Sequence, residues 1–235
     1  MKVNKLSVII PSFNEADTIL EVIKSVKDVN LGKIKKEIIV VDDGSTDRTK
    51  HVLSEIKVKS EKLIVLRHRE NLGKGASIKT ALKRVTGDVI VIQDADLEYN
   101  PNDYKLLLKP IIESNADVVF GSRFISNQPH RILYFWHNIG NNLLTLLSNI
   151  LTNLNLTDME TGYKMFTKRV ADKLNLKENR FGFEPEFTAK VAKMNIRIYE
   201  VGVSYSGRTY QEGKKIKGVD GLLAIWQIIK FNLFS

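Results

Sequence analysis

The chain is 235 residues long, 43% hydrophobic, and carries 36 Lys and Arg against 27 Asp and Glu, a formal net charge of +9. That apolar content supports one sizeable core and excludes a disordered chain, and the absence of cysteine excludes disulfides, thiolate metal centres and a cysteine nucleophile. The positive charge predicts attraction to anions (nucleotides, nucleic acid or an anionic membrane surface) without choosing among them.

Strand-like and helix-like segments alternate through the first half. Residues 6–10 read as a strand, 16–29 as a helix, 37–41 as a strand, 46–56 as a helix and 63–67 as a strand. A helix over 76–85, a strand over 88–93, a helix over 103–114 and a strand over 117–121 follow. Such a βαβ series predicts an α/β fold, a doubly wound, mostly parallel sheet whose ligands bind at the carboxyl ends of the strands. The run 6–10 is too short for a signal-peptide core and ends at Pro11, so a cytoplasmic chain is expected. No stretch reaches the roughly 18 apolar residues of a spanning helix.

The polar clusters follow the strands. After the first comes Pro11-Ser-Phe-Asn-Glu15. After the second comes Asp42-Asp-Gly-Ser-Thr-Asp47, where Gly44 permits a tight turn, Ser45 or Thr46 can cap the next helix and Asp47 suits its positive end. That capping leaves Asp42 unexplained at the strand end, where a carboxylate can accept from a base or a ribose hydroxyl. Asn71-Leu-Gly-Lys-Gly75 lacks the spacing of a phosphate-binding P-loop and reads as a turn with Lys74 facing a ligand. The buried run 88–93 then delivers Asp94-Ala-Asp96, a D-x-D triplet, followed by Leu97-Glu98. Wherever the chain stays extended, residues 94, 96 and 98 point the same way. Their repulsion calls for a cation, and oxygen ligands suit Mg²⁺ or Mn²⁺. The plain alternative is an acidic loop capping the helix near Pro101. Arg123, after the last parallel strand, suits bidentate contact with phosphate, or an ion pair with a nearby carboxylate.

Together, residues 11–15, 40–47, 71–76, 94–96 and 121–123 resemble the inverting glycosyltransferases of family 2, and more narrowly the dolichyl- or polyprenyl-phosphate hexose synthases, over nearly the whole chain. The resemblance implies a GT-A type fold, a nucleotide-diphosphate sugar such as GDP-mannose or UDP-glucose, and Mg²⁺ or Mn²⁺. It implies that Pro11, Phe13, Glu15, Val40 and Asp42 hold the nucleoside. Asp94, Ala95 and Asp96 would meet the ribose, diphosphate and metal, with Asp96 and Glu98 as metal ligands. Many mannose synthases have Gln where this chain has Glu98, a change that keeps an oxygen ligand and adds a negative charge. Arg208 and Lys214 are singled out as phosphate contacts, and Asp158 and Glu160 as candidates for contact with sugar hydroxyls.

The second half is less regular. Residues 132–154 place Asn141, Thr145, Ser148, Asn149 and Thr152 at helical spacing, with Trp136, Ile139, Leu143, Leu146 and Ile150 on other faces. A polar stripe without Lys or Arg is unusual for a helix in lipid headgroups, so packing on the domain, packing between subunits and membrane contact all remain open. Residues 158–166 read as a carboxylate-bearing loop entering a strand, 181–186 as a strand-to-helix corner whose Glu184 and Glu186 favour the helix's positive end, and 196–205 as a strand. Residues 207–217 form a basic loop, and 219–234 an apolar helix too short to span.

The expected organisation is one glycosyltransferase domain: a nucleotide-sugar half (1–123), an acceptor half (124–218) and a C-terminal apolar helix (219–235). The expected activity is transfer of a hexose, mannose or glucose, to a polyprenyl phosphate, with Asp96, Arg123, Arg208 and Lys214 as its catalytic set. A phosphate acceptor is already ionised near neutral pH and needs no base; a saccharide or protein hydroxyl would need one, such as Asp158 or Glu160. Nucleic acid is not an expected partner, because acidic clusters at successive strand ends repel phosphate unless a metal intervenes. Any membrane association is expected to be peripheral, on the cytoplasmic face, with a C-terminal helix that covers the core as the alternative.

Overall fold

The computed structural model describes residues 1–58, 63–125, 131–132, 134–180, 182–208 and 218–234. β1 (Lys5–Ser12), β2 (Lys35–Asp42), β3 (Leu63–Arg67), β4 (Val89–Ile92), β5 (Val118–Ser122), β6 (Lys164–Thr167) and β7 (Ile198–Gly202) form one sheet in the order β3-β2-β1-β4-β6-β5-β7. All its pairings are parallel except those of β6, which runs antiparallel between β4 and β5. The doubly wound α/β expectation holds, and the inserted strand joins both halves of the chain in one sheet.

The strands read as unbroken apolar runs because both faces are covered. Along β1, Val8 and Ile10 enter one cluster, with Val22 and Ile23 of α1 (Ile19–Asp28), Leu53 of α2 (Thr49–Val58) and Leu107 of α4 (Tyr104–Glu113). Ile9 enters the other, with Ile78 of α3 (Lys74–Leu82), Val170 of α6 (Lys168–Lys173) and Phe187 of α7 (Phe183–Ala192). α5 (Phe135–Thr152) and α8 (Gly218–Leu233) pack on each other and on α7. No helix among the described residues is long and apolar enough to cross a membrane.

Several boundaries move. The second helix begins at Thr49 rather than Thr46, because Asp47 accepts from the Thr49 N–H at 2.9 Å and from the Ala16 N–H at 3.2 Å, while Ser45 Oγ accepts from the Asn14 N–H at 3.0 Å. The expected caps thus tie two strand-end loops together. The expected corner at 181–186 is not preceded by a strand: residues 174–180 are irregular and α7 starts at Phe183.

At the opposite edge Glu37 locks three strands. It accepts from Ser7 Oγ at 2.5 Å, the Thr86 N–H at 2.6 Å, Thr86 Oγ1 at 2.7 Å and the Gly87 N–H at 3.2 Å, and pairs with Lys5 at 2.6 Å. Burial pushes its pKa up, but the bonds from Lys5, Ser7 and Thr86 outweigh it and bring the group from 4.5 to about 2. The stability it contributes is therefore fully present above pH 4.5 and lost as pH falls towards 2. Glu37→Gln is expected to cost about 2 kcal/mol at neutral pH, and to flatten the acid limb of a urea-denaturation series.

Candidate active site

The carboxyl ends of β1, β2, β4 and β5 share one edge, and the expected polar clusters line it. Asp42, 1% exposed, accepts from the Ser45 N–H at 2.9 Å and lies 3.2 Å from Arg67 Nε. Its Oδ2, the oxygen facing Arg67, is buried and accepts no hydrogen bond among the described residues, so the strand end keeps an acceptor with capacity for a further donor. Asp43 holds the next loop: it accepts from the Leu72 and Gly73 N–H groups at 3.0 and 2.7 Å and meets His68 Nδ1 at 2.6 Å. Gly44 has φ +70, and a Cβ there would come 2.4 Å from the carbonyl carbon of Glu70, so the turn admits only glycine. Pro11 and Phe13 sit half-buried at the end of β1. Val40 does not reach the edge; its side chain is fully buried in the core beneath α1 and α2, because it points to the sheet face rather than along the strand.

Buried hydrogen bonds aim the acidic triplet. Tyr104 and Tyr163 each donate to Gln93 Oε1 at 2.7 Å, and Gln93 Nε2 donates to the Asp94 carbonyl at 3.0 Å. Lys74 pairs with Asp94 at 2.8 Å and with Glu184 of α7 at 2.9 Å. Burial alone would lower its pKa, but those two carboxylates raise it well above that of an ordinary lysine. The other Asp94 oxygen occupies space that only glycine at 162 leaves, since a Cβ there would lie 2.1 Å from it. Lys74 therefore faces its own protein's carboxylates and joins the two halves of the chain. Ala95 is buried, and its carbonyl accepts from Thr18 Oγ1 at 2.7 Å.

Asp96 is the uncompensated member. Burial first, then the charges of Asp94 and Glu98, raise its pKa to about 7, against the Glu98 N–H and Arg208, which lower it. The expected alternation stops there: Leu97 has φ +64, so the chain turns and carries Glu98 away. Tyr205 Oη donates to one Glu98 oxygen and the Arg208 N–H to the other, both at 2.7 Å. Glu98, expected as a metal ligand, here tethers the segment after β7 through both oxygens. Among the described residues no three carboxylate or imidazole side chains form a ready-made metal cage. One or two carboxylates completed by a diphosphate is nevertheless the usual way Mg²⁺ is held, and the charge on Asp96 leaves room for a cation.

Arg208 lies against the acidic triplet. Its guanidinium donates to the Asp96 carbonyl at 2.7 and 3.0 Å and pairs with Glu15 at 3.2 Å. Lys214 lies outside the described residues. Arg123 is the second anchored arginine: Nε and Nη2 donate to the two oxygens of Asp158 at 2.6 and 2.7 Å, and Nη2 also donates to Asn141 of α5 at 3.0 Å. Its ring neighbours are Tyr205 at 5.2 Å and Phe124 at 5.6 Å. The ion-pair alternative to phosphate contact is thus realised, and it is buried, with Asp158 fully covered. Glu200 holds Asp158 in place by accepting from its N–H at 3.1 Å.

Beside this pair lie Glu160, Glu184 and Lys164. Burial, reinforced by Glu184, raises Glu160 to about 7; its Oε1 is buried and unpartnered among the described residues. Burial lowers Lys164 to about 8 despite the neighbouring acids; its ammonium donates to the carbonyls of Met159, at 3.1 Å, and Thr161. Sequence reasoning missed Lys164, Gln93 and Glu200. A lysine starting an apolar strand, and a glutamine ending one, were the available signals.

The family model described as "Glycosyl transferase family 2" matches residues 7–174. An uncharacterized protein from Methanocaldococcus jannaschii is 28% identical over 98% of this chain and 93% of its own length. The UDP-N-acetylglucosamine–dolichyl-phosphate N-acetylglucosaminyltransferase of Methanococcus voltae is 27% identical over 88% of this chain and 89% of its own. A dolichyl-phosphate beta-glucosyltransferase of Trichomonas vaginalis is 25% identical over 98% and 75%. Among solved structures, glucosyl-3-phosphoglycerate synthase from Mycobacterium tuberculosis, in complex with Mn²⁺, uridine diphosphate and phosphoglyceric acid, superposes with a TM-score of 0.76. It is 19% identical and matched over 99% of this chain and 80% of its own, a likeness of fold.

Proposed function

We propose, from the premise that the chain belongs to glycosyl transferase family 2, that it transfers a hexosyl group from a nucleotide-diphosphate sugar to a polyprenyl phosphate, with inversion at the anomeric carbon. The observation that carries this reading is the buried, bidentate Arg123–Asp158 pair. Both oxygens of that carboxylate are occupied by the guanidinium and so are not free to meet an acceptor hydroxyl, whereas an arginine oriented by Asp158 and Asn141 is prepared for an anion. A phosphate acceptor arrives ionised and must be held against the repulsion of the donor diphosphate. The dolichyl-phosphate relatives in two lineages support the same acceptor class.

In this reading Asp42 takes the nucleoside through Oδ2, the oxygen that accepts no hydrogen bond among the described residues, and Glu15 and Arg208 close the donor pocket. Asp96, with Asp94 nearby, would hold Mg²⁺ or Mn²⁺, which supplies charge neutralisation for the departing diphosphate. Lys74 and Gly162 set the Asp94 carboxylate, and Arg123 positions the acceptor phosphate for in-line attack.

The decisive experiment offers labelled nucleotide sugars, UDP-glucose, UDP-N-acetylglucosamine and GDP-mannose among them, with a polyprenyl phosphate. Label is expected in the organic phase for one donor, and none from any donor sinks the proposal. Asp96→Asn should leave the fold intact, because it relieves repulsion, yet abolish metal-dependent nucleotide binding; unchanged affinity and turnover would falsify the metal assignment.

Glu160 supports a second reading, transfer to a saccharide or protein hydroxyl, because a buried carboxylate with a pKa of about 7 is poised as a general base. There, turnover should rise with pH through about 7 and vanish in Glu160→Gln. For the phosphate acceptor it should rise through about pH 6, where the phosphate ionises, and survive that substitution.

A further inference from the structure

The segment after β7 is stitched to its surroundings residue by residue. The Val203 N–H donates to the Ser122 carbonyl at 2.9 Å, and Ser204 donates to Asp103 through its N–H at 2.8 Å and its hydroxyl at 2.5 Å. Tyr205 forms an antiparallel bridge with Tyr99, the two rings 5.1 Å apart, and the Ser206 N–H donates to the Glu98 carbonyl at 2.9 Å. The left-handed turn at Leu97 aims Glu98 at this segment, where its carboxylate meets the Tyr205 hydroxyl and the Arg208 N–H.

Tyr205 thereby touches both ends of the site. Its hydroxyl donates to Glu98 at 2.7 Å, just beyond Asp96, and its ring lies 5.2 Å from the Arg123 guanidinium. The two contacts reinforce each other: a phenol that donates to a carboxylate gains electron density in its ring, and a richer ring attracts a cation more strongly. Phe124, the other ring near Arg123 at 5.6 Å, has no polar atom with which to reach the triplet. The edge of the guanidinium is held separately, by Asp158 and by Asn141. Asn141 stands on the polar stripe of α5, which faces inward, with Thr145 and Ser148 4% and 1% exposed. Asp158 and Asn141 thus fix the edge of Arg123, and Tyr205 fixes its face.

We infer that Tyr205 is a positioning residue that couples the nucleotide end of the site to Arg123. The inference deepens the proposed function and rests on that reading for what Arg123 holds. Whatever occupies the Asp96 carboxylate acts on the turn that presents Glu98, and Glu98 reaches Arg123 through the Tyr205 ring. In-line attack needs the acceptor phosphate at a set distance from the donor, and the chain Glu98–Tyr205–Arg123 sets the span between the acidic triplet and the arginine. A nucleotide settled at the triplet therefore fixes the arginine, which then loses less freedom on meeting a phosphate. By linkage, a phosphate at Arg123 tightens the nucleotide by the same factor. Phenylalanine would fill the same space as Tyr205, so the hydroxyl alone separates coupling from packing.

The test follows the Arg123 Nε–H signal of the full chain by heteronuclear NMR, assigned by its absence in Arg123→Lys, while UDP or GDP is titrated with Mg²⁺. In the wild type the signal is expected to shift as the nucleotide site fills. Tyr205→Phe should keep its circular dichroism and hold nucleotide affinity within about threefold, yet lose the shift. Farnesyl phosphate should bind about fivefold or more tightly to nucleotide-loaded wild type than to the free protein, and equally to both forms of the variant. A shift of the same size in Tyr205→Phe overturns the inference. So does a wild-type signal that stays still while nucleotide binds, or a wild type that takes up farnesyl phosphate equally with and without nucleotide. Wild type that binds neither nucleotide overturns the inference and the proposed function together. A shift seen in the wild type and lost in Tyr205→Phe, with farnesyl phosphate ignored by both, leaves the coupling standing and removes the acceptor reading alone.

Discussion

Arg123→Ala is expected to reduce transfer by about two orders of magnitude or more and to lower stability by roughly 3–5 kcal/mol, because it removes the cation proposed to position the acceptor phosphate and strands the fully buried Asp158. The two effects separate in a cycle. Asp158→Asn weakens the pair but leaves the arginine charged, so it should cost less turnover than Arg123→Ala. The double variant Arg123→Ala, Asp158→Asn should recover stability without recovering activity. Arg123→Lys should not rescue, since an ammonium cannot reproduce contacts made through both Nε and Nη2. The check is a urea titration beside initial rates. A double variant restored in both would show that the arginine serves only the fold, and Asp158→Asn more damaging than Arg123→Ala would restore the carboxylate as the general base.

Lys74→Met is expected to be nearly as severe. It leaves Asp94 and Glu184, 2.8 and 2.9 Å from the ammonium, as buried carboxylates without a counter-charge, at a cost of about 3–5 kcal/mol and a fall in thermal midpoint on the order of 10 °C. Because the free Asp94 adds to the negative field at Asp96, nucleotide affinity in the absence of metal should fall further than affinity at saturating Mg²⁺. Adding Glu184→Gln should return part of the stability. Calorimetry and nucleotide titration with and without metal decide it: equal losses of affinity under both conditions would show that Lys74 only joins α3 to α7.

The antiparallel β6 shows where sequence reasoning stops. Strand character at 164–167 is local, and the apolar run towards Phe166 betrays it. Its insertion between β4 and β5 pairs Val89 with Thr167 and Val118 with Phe166, partners tens of residues apart that nothing local specifies. Because the strand runs backwards, its beginning, not its end, lies at the ligand edge. That brings Asp158, Glu160 and Lys164 there, although the rule that ligands follow strands would have passed them over.

What the sequence determined by itself is the frame. Buried strands must be apolar on both faces, turns need residues such as Gly44, and crossovers in a parallel sheet have one hand, so the βαβ series and the strand-end positions of Asp42, Asp94, Asp96 and Arg123 could be read from local pattern. The tertiary structure alone decided what each charged group faces: Lys74 its own carboxylates rather than a ligand, Glu98 a tyrosine and a backbone N–H, Arg123 the buried Asp158. It also turned the polar stripe of α5 inward. The reason is physical. A polar group's partner is set by which surfaces meet on folding, and the energy of a charge depends on burial and neighbours that a linear pattern does not contain.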